Sequence, residues 1–174
     1  LHPSTMQYGN TINRWYQTND LKHAKRKSLS QTLIKPTHDI HYRPTFAECL
    51  SLLKEISQAD ECAMDIEVMP GFQVSMISYS WHDKESVSIP YGKGGWTLEE
   101  EAMLWHHTAV LMASPTVVKI FHNGIFDTQF LLQNHAIHVA PPVDDTMVQY
   151  AVMYPEFRKG LAVLSSLYTD QSFW

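Results

Sequence analysis

Residues 62–68, Cys62-Ala63-Met64-Asp65-Ile66-Glu67-Val68, form an apolar, strand-like run broken by two carboxylates spaced two apart. Successive side chains of a strand point to opposite faces, so Asp65 and Glu67 project from the same side. Two like charges held side by side repel and shift each other's pKa, and a cation between them relieves that cost. Hard divalent ions such as Mg²⁺ prefer a carboxylate cradle of this kind. A strand end whose two acids meet water accounts for the same residues equally well. The pair therefore sets the question asked of the rest of the chain: does it supply a third carboxylate?

Length and composition set the frame. A chain of 174 residues fits one ordinary domain plus an arm, and it has no run of eighteen apolar residues to span a membrane. The start, Leu1-His2-Pro3-Ser4, is neither a methionine start nor a signal peptide, and it reads as the middle of something longer. Cys49 and Cys62 fall in an expected helix and an expected strand without metal-ligand spacing. They read as reduced core residues of an intracellular, cytoplasmic protein. The net charge of −5 hides an asymmetry: residues 1–43 carry seven Lys/Arg against two acids, and the remainder six against sixteen. A basic arm on an acidic body suits a nucleic-acid partner met by the arm and metal ions met by the body. A solvated basic helix is the competing explanation.

The basic stretch from Trp15 to Lys27 is expected to be helical after an irregular start reaching Asn13. Residues 28–43, with Pro36 and the Arg43-Pro44 step, read as a linker. Thr45 then caps a helix in which Phe46, Cys49, Leu50, Leu53 and Ile56 recur at helical spacing. The carboxylate strand follows, then a hairpin of residues 74–81 and 86–91 turning at His82-Asp83-Lys84-Glu85. Thr97-Leu98-Glu99-Glu100 is a capping box that opens a helix to about Ala113. Residues 116–121 are a β-branched strand, 137–139 a short strand, and Asp144-Asp145-Thr146 the start of a helix through Met153. A last helix runs from Gly160 to Tyr168. This order gives an α/β class: a mixed five-stranded sheet with helices on both faces.

The third carboxylate comes from His122-Asn123-Gly124-Ile125-Phe126-Asp127, where a strand ends, Gly124 allows a tight turn and Asp127 enters the first turn of a helix. Open α/β sheets place ligand sites at such strand ends, although an acid there also simply favours the helix dipole. Together, Asp65-Ile66-Glu67, Asn123-Gly124-Ile125-Phe126-Asp127 and Asp145-Thr146-Met147 resemble the 3′–5′ exonuclease (proofreading) domain of family A, Pol I-like DNA polymerases of phage and bacteria. The segment from Lys159-Gly160-Leu161 to Tyr168-Thr169-Asp170 is similar to the region C-terminal to these motifs in those enzymes, so the resemblance covers about residues 44–174.

That resemblance implies an RNase H-like fold of the DEDD exonuclease class. It implies that Asp65, Glu67 and Asp127 are catalytic metal ligands for two Mg²⁺ or Mn²⁺ ions, and that Asn123 and Phe126 hold terminal nucleotides. Two such ions about 4 Å apart activate water and stabilise the leaving 3′ oxygen. The expected partners are a single-stranded DNA 3′ end and a polymerase domain in the same longer chain, with residues 44–174 as the exonuclease-like domain. Residues 1–43 are then a basic arm or linker, or the tail of a preceding domain; the His2-Pro3-Ser4 step resembles a loop of uracil-DNA glycosylase-like domains. One departure matters. The class uses a fourth carboxylate in a late Tyr-x-x-x-Asp or His-x-x-x-x-Asp motif, and none follows Asp127. The chain is expected to lack that ligand and to cleave weakly, with Asp144, Asp145 and Asp170 as the acids that would have to substitute. Two alternatives stay open: a non-catalytic scaffold of the same fold, and an RNA-trimming nuclease of the same class.

Overall fold

The structure, a computed structural model, describes residues 11–170 apart from 31, 33–35 and 93–94. The N-terminal tetrapeptide and residues 31 and 33–35 of the stretch read as a linker lie outside the described residues. In chain order the elements are α1 (Thr11–Ser28), β1 (Asp39–Tyr42), α2 (Phe46–Ile56), β2 (Glu61–Met69), β3 (Gln73–Ser80) and β4 (Glu85–Pro90). There follow α3 (Leu98–Ala113), β5 (Val118–Phe121), α4 (Ile125–His135), β6 (Val143–Asp145), α5 (Thr146–Met153) and α6 (Leu161–Tyr168). They fall into two compact units, residues 37–149 and residues 1–36 with 150–174.

The larger unit is a six-stranded sheet in the order β1-β4-β3-β2-β5-β6. β2, β3 and β4 form an antiparallel meander, while β5 pairs with β2 and β6 with β5, both in parallel. Local chemistry fixes the helix starts. Thr45 and Thr97 each accept a hydrogen bond from the N3 amide and donate their own amide to the N3 glutamate, Glu48 and Glu100, closing two capping boxes. On the sheet, Cys62, Met64 and Ile66 of β2 lie in one core with Ile77 and Tyr79 of β3, and Cys49, Leu53 and Ile56 of α2 and Leu104, Leu111 and Met112 of α3 close over it. Each fully buried aliphatic contributes about 1.5–3 kcal/mol. Both cysteines are buried and free, and burial pushes their thiols up, to about 11 for Cys49 and about 12 for Cys62.

The mixed α/β class stands, with two changes to the expected sheet. It has six strands, not five, because β1 forms inside the stretch read as a linker and pairs with β4 in parallel, Asp39 opposite Glu85 to Tyr42 opposite Ser88. Residues 137–139 are not a strand: Ala136 takes the left-handed C-cap of α4, and the Ile137 amide returns to the Leu131 carbonyl. The sixth strand lies later, at Val143–Asp145, so Asp144 and Asp145 pair with β5 instead of starting a helix.

The smaller unit is organised by aromatic packing. Tyr150, Phe157 and Leu164 form a cluster with Ile12, Trp15, Tyr16 and Tyr154, in which the Trp15 and Phe157 rings meet edge-on at 4.8 Å. The Arg158 amide donates to the Tyr16 hydroxyl at 3.1 Å, and Arg26 of α1 pairs with Asp170. No helix among the described residues is long and apolar enough to cross a membrane.

Candidate active site

Asp65 and Glu67 are exposed on β2, and the residues that flank Asp65, Met64 and Ile66, are buried, so the alternation read from the sequence holds. The β2–β3 register slips between Glu67 and Val68, and the Ser75 hydroxyl on the longer side donates to the Glu67 carbonyl at 2.9 Å. Such bulges re-aim side chains and are common beside functional sites.

Asp127 reaches this strand through a gap in the ladder. Pairing of β2 with β5 ends at Ala63 opposite Ile120. Three residues on, the Ile66 amide donates to Asp127 Oδ1 at 3.1 Å, joining positions 61 apart in sequence. Asp127 is 5% exposed, and it sits in the first turn of α4, whose N-cap Gly124 supplies no side-chain cap. Burial raises the Asp127 carboxyl above the ordinary range, the Ile66 amide opposes that, and the charges of Asp145 and Glu67 push it further up. Burial likewise raises Asp65, with the Asp127 charge adding and His122 countering. Asp65 and Glu67 therefore each share a field with Asp127. Among the described residues the three do not gather within 4.8 Å of one another as a closed metal-ligand group.

The turn before α4 is built for this placement. Asn123 takes a left-handed backbone, φ 67°, a conformation asparagine tolerates better than most residues. Gly124 is needed for space and not for its torsion: φ is −66°, but a Cβ there would lie 2.4 Å from Phe121 Cβ. Asp145 locks the turn from β6, accepting the amides of Asn123 (3.1 Å), Gly124 (2.7 Å), Met147 (2.9 Å) and Val148 (3.1 Å). Burial alone would raise its carboxyl, but these four amides hold it below the usual range. Phe126 is 53% exposed beside Asn123, an open ring of the kind on which a nucleic-acid base stacks.

A family model for 3′–5′ exonucleases matches residues 44–173. The chain belongs to the 3′–5′ exonuclease family. A search of the curated proteins gives no significant match. Among solved structures, RNase D from Escherichia coli is similar at TM-score 0.59 and 17% identity, over 79% of this chain and 34% of that one. The Nibbler EXO domain of Aedes aegypti is similar at 0.60 and 15%, over 82% and 74%. NrnC from Brucella melitensis, solved with bound Mg²⁺, is similar at 0.57 and 22%, over 80% and 65%. The exonuclease chain thus spans about a third of the RNase D chain. These likenesses agree on the fold, which is RNase H-like, with one strand more than the sequence suggested.

Within this exonuclease fold the donor set suits a hard divalent cation. Asp65, Glu67 and Asp127 offer only carboxylate oxygens, and burial and mutual repulsion raise the proton affinity of Asp65 and Asp127, a cost that a cation relieves. Of the acids considered as a fourth ligand, Asp145 is committed to backbone amides and Asp170 to Arg26, while Asp144 is exposed on β6. Two roles were missed in the sequence. Asp145 was quoted in the resemblance and as a substitute ligand, but its clamp on four backbone amides left no signal. His122, which stood in plain view before Asn123, places Nδ1 2.8 Å from Thr146 Oγ1, and that hydroxyl donates to the Phe121 carbonyl. With that proton on the Phe121 carbonyl, Nδ1–H would be the donor to Thr146, and Nε2 is buried with no hydrogen-bond partner among the described residues.

Proposed function

We propose that the chain hydrolyses the 3′-terminal phosphodiester of a single-stranded nucleic acid, with Asp65, Glu67 and Asp127 as catalytic metal ligands and Asn123 and Phe126 against the terminal nucleotides. The observation that carries this reading is the Asp127 carboxylate held on the Ile66 amide, between Asp65 and Glu67 in sequence. Two divalent ions, when bound, supply an activated water and charge stabilisation at the leaving 3′ oxygen. The protein's own part is positional. Asp127 is fixed by the β2 amide, Asp65 and Glu67 by strand alternation, and the turn at Asn123 and Gly124 by Asp145. Nothing in these contacts depends on base identity, in keeping with an enzyme that trims any sequence.

The full proposal is a proofreading domain acting on DNA beside a polymerase domain of a longer chain, with residues 44–174 as the catalytic part and residues 1–43 as a basic arm. Arg14, Lys22, Lys25 and Lys27 of α1 are exposed and suit phosphates without sequence preference, whereas Arg26 is already paired with Asp170. RNA trimming is the second reading, favoured by the similarity to RNase D, described as an exoribonuclease involved in structured RNA processing.

The test is digestion of 5′-labelled DNA and RNA oligonucleotides of one sequence with Mn²⁺. A ladder shortening from the 3′ end, faster on DNA, is expected. A faster ladder on RNA moves the assignment to RNA trimming, and internal cuts or 5′ shortening contradict both readings.

A further inference from the structure

Glu55 in the last turn of α2, His82 in the β3–β4 turn and Glu85 at the start of β4 place one ligand atom each within 4.8 Å of the others. We propose that these three side chains form a second metal site, for a first-row transition ion of the Zn²⁺ type. Two donors each about 2.1 Å from one ion lie at most about 4.2 Å apart, so side-chain adjustments of less than about 1 Å would close the set. One imidazole nitrogen with two carboxylates suits Zn²⁺ or Co²⁺, whereas Mg²⁺ favours oxygen ligands alone.

The surroundings support a site open to solvent on one side. The Trp81 indole, itself buried, donates from Nε1 to Glu55 Oε1 at 2.9 Å and so orients that carboxylate from behind, as outer partners of metal ligands do. Glu55 and His82 are exposed and Glu85 half-buried, leaving coordination positions for water. A groove of about 960 Å³ includes Trp81, His82 and Glu85 in its lining, where Asp60, Glu61 and Asp83 outnumber the one cation, Lys84.

This site is separate from the exonuclease acids. Ser80, two residues before His82, pairs with Ala63 of β2. Asp65, the nearest of those acids by register, lies two residues beyond Ala63 on β2 while His82 lies two residues the other way past β3, about four strand steps or roughly 13 Å at ~3.3 Å per residue, too far for one shared ion. An ion here would pin the end of α2 to the β3–β4 hairpin, and the inference stands whether or not the chain cleaves nucleic acid.

The experiment is calorimetric titration of the whole chain with Zn²⁺ alone, carried out in an Asp65→Asn/Asp127→Asn background to silence the other site. A Zn²⁺ site should persist in that background. It should weaken by about tenfold or more with His82→Ala and with Glu85→Gln, the loss that even an outer-partner change typically causes. Isotherms that superimpose for the background and both further variants overturn the proposal. Should His82→Ala unfold, Glu85→Gln decides, together with the His82 ring resonances, which must shift on Zn²⁺ addition and overturn the site if they do not.

Discussion

Asp127→Ala is expected to lower 3′–5′ cleavage by about 10²-fold or more, because displacement of the reacting groups by about 1 Å already costs that much. The change does more than remove a ligand. It frees the Ile66 amide at the point where β2 leaves β5, and it uncouples α4 from the strand that carries Asp65 and Glu67. Asp127→Asn separates the effects, since an amide oxygen can still accept from Ile66 while holding a cation poorly. Gel quantification of 3′ shortening should show both variants inactive and only Asp127→Ala lowered in melting temperature. Equal activity in Asp127→Asn and the parent chain removes Asp127 from the chemistry. The parent rate is itself expected to be low, because only three acids are available to the site and Asp145 is spent on backbone amides. If the parent digests single strands rapidly, Asp144, exposed on β6, is the acid to substitute next.

Gly124→Ala is the substitution with the largest expected effect on stability. Its new Cβ would sit 2.4 Å from Phe121 Cβ and 2.6 Å from Cγ, and Phe121 is core and cannot retreat. Overpacking of this kind costs about 1–3 kcal/mol and occasionally more. The strain falls on the amide that Asp145 holds at 2.7 Å, so the turn that delivers Asn123 and Asp127 moves with it. Gly160→Ala is the control: nothing lies within 4 Å of its added Cβ, and a change within about 0.5 kcal/mol is expected. Urea unfolding of the two variants checks this, and similar midpoints for both contradict the steric account of Gly124.

Much of this was legible in the sequence because its signals are local. Strand alternation alone puts Asp65 and Glu67 on one face, and Thr97 with Glu100 announces α3 by a three-residue spacing. The features that escaped were decided by partners far along the chain. β1 is a four-residue strand exposed at all but His41, so it carries no apolar pattern, and only its pairing with β4 reveals it. β6 reads Val-Asp-Asp, a poor strand on propensity, and is held by β5 and by the amides that Asp145 collects. Ile137 is buried and looked like strand, but its burial comes from folding back on the end of α4. In the site, Gly124 was read for torsional freedom and proves necessary for space. The Glu55, His82 and Glu85 cluster had no signature either, its members being brought together only by the docking of α2 on the β3–β4 hairpin.

The central claim, that Asp65, Glu67 and Asp127 make one cation site, is tested most directly by thermal melts with and without Mg²⁺. Mg²⁺ is the ion to use because the imidazole-containing cluster disfavours it. Asp65 and Asp127 have carboxyls raised in the fold, so their contribution to stability is present below their unfolded pKa and is lost as pH rises through their folded values. At neutral pH the ionised pair therefore costs stability, and a cation that binds only the folded state offsets the cost by mass action. The account predicts that millimolar Mg²⁺ raises the melting temperature at pH 7, that the increment fades as the acids protonate toward pH 4, and that Asp65→Asn/Asp127→Asn melts higher without metal and gains nothing from it. An equal Mg²⁺ increment in the parent chain and in the double variant would contradict it.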